Sequence, residues 1–584
     1  MDTTAPGPAQ VPPAPEATRI VLNGTTLTVG ELIALADGVA VPAVDPEARE
    51  RAVRSWRTAR RLAAGGRLYG RGTGVGAHRA VTVDRDDETA HGLRLLRSHA
   101  GGAGALLPAR QVRAMLAIRA NQLLAGGSGI HPDFVDALTE ALRLGVHPAV
   151  NEYGGLGTGD LTALAQTGLT LIGERPWLDD RPAAARPGGR DPGPHPGPAG
   201  GEGGRTADGP GADAGPAGGA APRSGAPPAV RPGGDGLVDG RGTAGLYDWL
   251  DNRADGGRGD AGPAVRVRSG RLPAPVVLRP GDALALLSSN ALALAQAALG
   301  RSALDVLLRA THAVAALSLA AVSGSPEAYA APVHALRPYP GAARAAGEVR
   351  RLLGLPDRPS APGRRIQDPY GFRAFPQVHG CALDAAERLR EVVEVEINCP
   401  SENPVVLPGG TEAYHHGGFF AAPLGHALEA ANLALLQTAQ LSTARLAALG
   451  DPGLTGLPAF LAAGPASSSG TMILEYTAHS ALAELRAGAA PASCGHAVLS
   501  HGLEEAASFA GQAARQTLRA TDAYTTVLAC ELVTAVRALR LHPAAPRVAA
   551  FTVADAALPG GVDDRPLTGD VAAAAGLLPV LAEL

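Results

Sequence analysis

The chain contains no lysine: all 51 positions counted as lysine or arginine are arginine. We read this as a bias of the coding sequence, and it denies any nucleotide site a P-loop lysine. Aromatic residues are only 3% of the 584 positions, so the 46% that is hydrophobic must be mainly alanine, leucine and valine. Alanine and leucine are strong helix formers, and a mostly helical protein is expected. Cysteine is scarce. Cys381, Cys399, Cys494 and Cys530 form no C-x-x-C pair, and their spacing fits neither a zinc site nor a disulfide framework. Isolated thiols in a reducing compartment are expected. Charge is nearly balanced, with a formal net charge of -4 and a sequence pI of about 6.5. That argues against nucleic acid or a membrane surface as partner. No run of about 20 residues is free of polar interruption, so no transmembrane helix is read. Met1 to Ala17 lacks a basic region followed by an apolar one and is not a signal peptide. The expectation is a cytoplasmic protein.

What is present is organised in five stretches. Residues 1–18, rich in Pro and Ala, read as a disordered tail. Residues 19–181 form an N-terminal domain. Thr28-Val29-Gly30-Glu31 has the form of a capping box, and helical patterns follow at 47–64, 89–98, 109–125 and 133–144. From 182 to 265 Gly, Pro, Ala, Arg and Asp dominate. Such a stretch cannot bury enough apolar area to offset its ordering entropy, and it reads as a disordered insertion. Residues 266–540 hold long Ala/Leu-rich helical patterns at 282–298, 303–321, 425–448, 472–487 and 503–539, as in a central bundle. Residues 541–584 form a C-terminal segment.

Two glycine-rich loops stand out. The first carries Tyr69 and reads Gly70-x-Gly72-x-Gly74-x-Gly76, which does not match a phosphate-binding G-x-x-x-x-G-K-[ST]. A loop tyrosine is most often a packing residue with a bonded hydroxyl. The second loop runs from Asn151 to Leu161 ahead of an apolar helix, and taken alone it reads as a turn with Asp160 near a helix start.

Taken together, the motifs resemble those of the histidine and phenylalanine ammonia-lyases. Tyr69-Gly70-x-x-Thr73-Gly74-x-Gly76 is similar to YGxNTGFG, and Leu95 to Ala100 is similar to L-x-SHA. Val112-Arg113-Ala114-Met115, Arg119-Ala120-Asn121 and Gly127-Ser128-Gly129 follow in order, and Gly154 to Leu161 falls at GSVGASGDL. Arg365 to Arg373 is similar to RVQDxYSLR, and Glu396-Ile397-Asn398 with Glu402-Asn403-Pro404 is similar to EINSxTDNP. Ser469-Gly470, Met472-Ile473, Thr477-Ala478, Glu484 and Pro491-Ala492-Ser493 complete the set. The resemblance implies an all-α long-helix bundle of the histidine/phenylalanine ammonia-lyase type, assembled as a homotetramer with shared active sites. It implies a carbon–nitrogen lyase acting on a small amino-acid substrate without an external cofactor. It assigns catalytic roles to Tyr69, as base, and to Tyr370, and assigns substrate contacts to His99, Ser288, Gln367, Arg373, Phe419 and Glu504. Arg373 would clamp a carboxylate, which a planar guanidinium can hold in a bidentate mode.

In that family an Ala-Ser-Gly triad cyclises and dehydrates into an electrophile, methylidene-imidazolone (MIO). Here the aligned triad is Gly157-Thr158-Gly159. A dehydrated threonine gives an ethylidene group, whose extra methyl hinders addition. Ser288 replaces the family asparagine in Ala285 to Ala291, with Asn290 able to serve only after a local shift. Gly417 to Phe420 replaces GNFHG, Cys494-Gly495-His496 replaces VDS, and Ala506 replaces a histidine. The favoured expectation is therefore a MIO-independent elimination, addition or cyclisation in specialised metabolism. Two alternatives stay open: an ammonia-lyase or aminomutase with a group derived from Thr158, and a non-catalytic ligand-binding or scaffold homologue.

Overall fold

Alanine- and leucine-rich periodicity becomes a bundle of long helices in the computed structural model. The structure describes residues 18–65, 68–179, 266–267, 271–360, 365–407, 410–543 and 546–584. The tail and the insertion expected to be disordered lie outside these, apart from Thr18 at the end of the tail. The described residues belong to one compact unit.

Six helices frame the argument: α1 (Pro46–Gly65), α2 (Ala109–Leu124), α3 (Ala291–Ala321), α4 (Phe375–Glu396), α5 (Ala422–Leu449) and α6 (Ala510–Leu541). The central helix α3 packs against α2, α4 and α6, and α6 also lies along α5. One hydrophobic core runs from Ile20 to Ala582 through all of them. Residues 282–321 are long and apolar enough to cross a membrane, but 94% of the most apolar window is buried inside the protein. This is the low-aromatic composition at work: small alanines let the helices approach closely. Gly300 is the clearest case, since an added Cβ there meets the Thr517 methyl at 2.9 Å.

Local signals hold well. Thr28 and Glu31 form the capping box of helix Val29–Ala36, which connects the parallel strands Thr18–Leu22 and Ala40–Val44. Helix Asp133–Leu144 stops at Gly145, whose φ of 67° a side chain rarely tolerates. Two expectations change. The pattern split near residue 300 is one continuous helix, and the real break falls at Ser288–Asn290, between helix Asp282–Leu287 and α3. The pattern from 503 becomes helical only at Ala510, because Phe509 takes a φ of 53°. All four cysteines are free, and Cys530 is buried.

A buried ion pair ties the bundle to the segment carrying Tyr370. Arg445 on α5 donates to both Glu531 carboxylate oxygens on α6, at 2.6 and 2.8 Å, and both side chains are fully buried. The Ser318 and Ser442 hydroxyls donate to the same carboxylate. Arg445 reaches on to the Gly371 carbonyl at 3.1 Å and sits over the Phe375 ring.

Candidate active site

The loop from Gly154 to Asp160 is fixed by backbone and side-chain partners from several elements. Strand Asn151–Tyr153 pairs antiparallel with Ala103–Leu106 and delivers the loop, and helix Leu161–Leu171 receives it. Phe509 N–H donates to Leu156 O at 2.8 Å, and the Gln512 amide donates to Gly155 O. The Gly157 carbonyl accepts from Ser508 Oγ at 2.8 Å and from Ala421 N–H at 3.2 Å. The break at 288–290 supplies the rest. Gly159 N–H donates to Asn290 Oδ1 at 3.0 Å, Asn290 Nδ2 donates to Phe419 O, and Asp160 N–H donates to Ser289 O.

Asp160 closes this clamp. Its buried carboxylate accepts the Ala293 N–H at 2.8 Å, at the start of α3, where unsatisfied N–H groups favour negative charge. Burial nevertheless dominates and raises its pKa from 3.8 to about 6. The folded state therefore holds this proton more tightly than the unfolded chain. The resulting stabilisation is full below about pH 4 and is lost as pH rises through about 6. The unfolding free energy of wild type relative to Asp160→Asn is expected to fall by about 3 kcal/mol across that window. A difference that stays flat from pH 4 to 7 would contradict this burial argument.

A cavity of about 290 Å³ opens beside the clamp, lined among others by Tyr69, His99, Thr158, Gly159, Ser288, Phe419 and Glu504. Seven of the eleven residues singled out from sequence thus share one space, with Gly157 adjoining. The Tyr69 hydroxyl oxygen accepts the Gly76 N–H at 2.8 Å, which closes the glycine-rich loop on itself. Burial raises the Tyr69 pKa and the Glu504 charge adds to it, while the Gly76 N–H and Arg79 work the other way. His99 Nδ1 bonds the Leu95 carbonyl at 3.0 Å in its own helix, which leaves Nε2 as the ring's outward nitrogen.

Ser288 lines the cavity, but its hydroxyl donates to Leu284 O at 2.9 Å, back onto the helix that it ends. The contact with the triad belongs to Asn290, two residues on. Asn403 and Ser500 also line the cavity. Asn403 was visible in the Glu-Asn-Pro motif but was not singled out, and Ser500 carries no sequence signal. Gln367, Tyr370 and Arg373 do not reach the cavity within one chain. Tyr370 is 67% exposed, with the Arg373 guanidinium 4.3 Å from its ring centre.

The family's own prosthetic group can be tested against this backbone. Gly157 has a φ of 79°, and a Cβ added there would lie 2.1 Å from Ser508 Oγ and 2.8 Å from Ala510 N. The family alanine has no room here. Thr158 brings an extra methyl, Gly159 N–H is engaged by Asn290, and the Ser288 hydroxyl is engaged elsewhere. These residues do not fit the standard methylidene group.

Comparison with known proteins agrees with the fold and the motifs. Residues 27–190 and 252–556 match the family model described as aromatic amino acid lyase, and the gap lies within the Gly/Pro-rich insertion. A histidine ammonia-lyase of Anaeromyxobacter dehalogenans is 33% identical over 577 residues, covering 96% of this chain and 98% of the relative. One of Symbiobacterium thermophilum is 31% identical over 564 residues, covering 95% and 96%. Among solved structures, the ergothioneine-degrading ergothionase of Treponema denticola superposes with a TM-score of 0.75 at 22% identity, covering 96% of this chain and 99% of that one. Tyrosine aminomutase of Streptomyces globisporus gives 0.75 at 24% identity, with 97% of each chain covered. These last two likenesses are of fold.

Proposed function

The chain belongs to the aromatic amino acid lyase family and is a carbon–nitrogen lyase, and from that premise we propose that it removes an amine from a histidine-like amino acid, with Tyr69 as base. The observation that carries this reading is the convergence of Tyr69, His99, Thr158, Phe419 and Glu504 on one cavity. The Tyr69 oxygen takes a proton from the substrate's β-carbon. The C–H electrons become the new carbon–carbon double bond, and the amine leaves with the electrons of the C–N bond. A tyrosine base must be ionised first; burial opposes this, and the Gly76 N–H and Arg79 act in favour of the phenolate. His99 Nε2 and Glu504 hold the ring of the substrate, and Phe419 forms part of the pocket wall.

Gln367, Tyr370 and Arg373 complete the site from a second copy of the chain within a homotetramer. The exposure of Gln367 and Tyr370 in the single chain supports that role, with Arg373 clamping the substrate carboxylate.

The poor fit to MIO narrows the leaving group. An ordinary amine is neutral once deprotonated and leaves poorly. A quaternary amine cannot lose its charge to a base, so it stays a leaving group without an electrophile. The fold neighbour that degrades ergothioneine, a histidine-derived betaine, gives this idea a substrate class. We assign the protein to specialised metabolism, acting on a betaine of the histidine type. The test is a substrate panel at saturating concentration. Turnover of the trimethylammonium betaine of histidine is expected, with little or none of free histidine, phenylalanine or tyrosine. Efficient ammonia release from histidine would overturn the reading and restore ordinary MIO chemistry.

A further inference from the structure

A second cavity, of about 600 Å³, shares no lining residue with the one beside Tyr69. It is lined by Trp56, Arg60, Ala63 and Ala64 of α1, with Arg71, Arg85, Glu88, His131, Arg279 and Pro280. Four guanidinium groups and one carboxylate face the same space. Nothing in the amine elimination uses them.

Arg71 is the unusual member. It is 7% exposed, and among the described residues it has no carboxylate partner. Two of its five N–H donors are used, by Pro280 O at 3.1 Å and Gly129 O at 2.7 Å. The chain makes room for it: Gly281 has a φ of 83°, and an added Cβ would lie 2.4 Å from Arg71 Cζ. A glycine is therefore required opposite a buried cation on which Asp282 and Glu88 act through space, without an ion pair to either among the described residues. Such a charge is costly unless an anion joins it.

The neighbouring acids, Asp133, Asp282 and Glu88, offset the four guanidinium charges only in part. Asp133 is paired with Arg279 at 3.1 Å. The Asp282 carboxylate accepts the His131 and Arg279 N–H groups, and burial raises its pKa to about 6. Among the described residues, Arg85 donates to Ala64 O alone, at 3.3 Å, and Arg60 lies 5.0 Å over the Trp56 ring without a carboxylate partner. His131 packs edge-on to the same ring at 4.6 Å, so the aromatic wall is held in place.

We propose that this cavity is a binding site for a phosphate-type dianion, seated between Arg71 at its base and Arg60 and Arg85 at its rim. Guanidinium forks suit such an oxyanion because they offer paired donors to paired oxygens. Arg71 shares its loop with Tyr69, so an anion here anchors the loop that carries the proposed base.

The experiment is isothermal titration of the full protein with inorganic phosphate, at ionic strength held constant with chloride. Saturable binding is expected, at least ~10-fold weaker in Arg60→Ala/Arg85→Ala, two exposed positions whose loss leaves the core intact. Quenching of Trp56 fluorescence by phosphate is expected to disappear in Trp56→Phe. Tyr69→Phe is expected to bind phosphate as wild type does, which separates this site from the active one. Arg71→Met is expected to abolish binding if it folds, and the rim double variant keeps the test decisive if it does not. Absence of saturable binding, equal affinity in the rim variant, or loss of binding in Tyr69→Phe would each overturn the proposal.

Discussion

Tyr69→Phe is expected to lower turnover by about 10²–10⁴-fold, the usual contribution of a positioned base. The ring is retained, and it packs against the hydrophobic core. The hydroxyl's structural bond, accepted from Gly76 N–H, is a single one, so the stability loss is expected near 1 kcal/mol. The variant therefore separates chemistry from folding. Its kcat falls, and its melting temperature moves little. Near wild-type turnover in a well-folded variant would remove Tyr69 from the base position. If turnover and melting temperature instead collapse together, the residue is a loop brace rather than a base.

The second large effect is on stability. Glu531→Ala leaves Arg445 charged and fully buried with its carboxylate gone, along with the acceptor for Ser318 and Ser442. Breaking such a pair typically costs about 3–5 kcal/mol. Because Arg445 also holds the Gly371 carbonyl, the helix Tyr370–Arg373 should loosen as well. Replacing both partners, as Arg445→Met/Glu531→Leu, removes the charge and should recover much of the loss. Chemical denaturation checks both. A single variant within 1 kcal/mol of wild type would mean that water reaches Arg445.

Much of the fold was legible because its signals are local. The Thr28 capping box, the end of helix Asp133–Leu144 at Gly145, and the Ala/Leu periodicity each act within a turn or two. What failed depends on distant contacts. The helical pattern was read as two pieces on either side of residue 300, yet Gly300 is where α3 meets Thr517 of α6. The segment before Ala510 had helical periodicity, but Ser508 and Phe509 bond the Gly154–Asp160 loop, some 350 positions earlier in the chain, and that holds Phe509 outside helical geometry.

The site divides in the same way. Motif order placed Tyr69, His99, Thr158 and Glu504 together, because the family pattern preserves which loops converge. It placed Ser288 in the cavity wall but expected Asn290 to serve only after a local shift, since position alone does not say which way a side chain turns. Ser288 caps back onto its own helix, while Asn290 begins the next helix and faces the triad. Asp160 as a buried clamp was likewise hidden, because its neighbour, Ala293 N–H, is a backbone group with no sequence signature.

The central claim is that this lyase works without the standard electrophile, and the mass of the peptide spanning Gly157 to Gly159 tests it most directly. MIO formation removes two waters from the chain. The account predicts the unmodified mass in the wild-type protein. It predicts the same for Thr158→Ser, because the crowding of Gly157 against Ser508 and the bond from Gly159 to Asn290 persist when the methyl is removed. Loss of two waters in Thr158→Ser alone would place the whole obstacle in the threonine methyl. Loss of two waters in the unaltered protein would contradict the account.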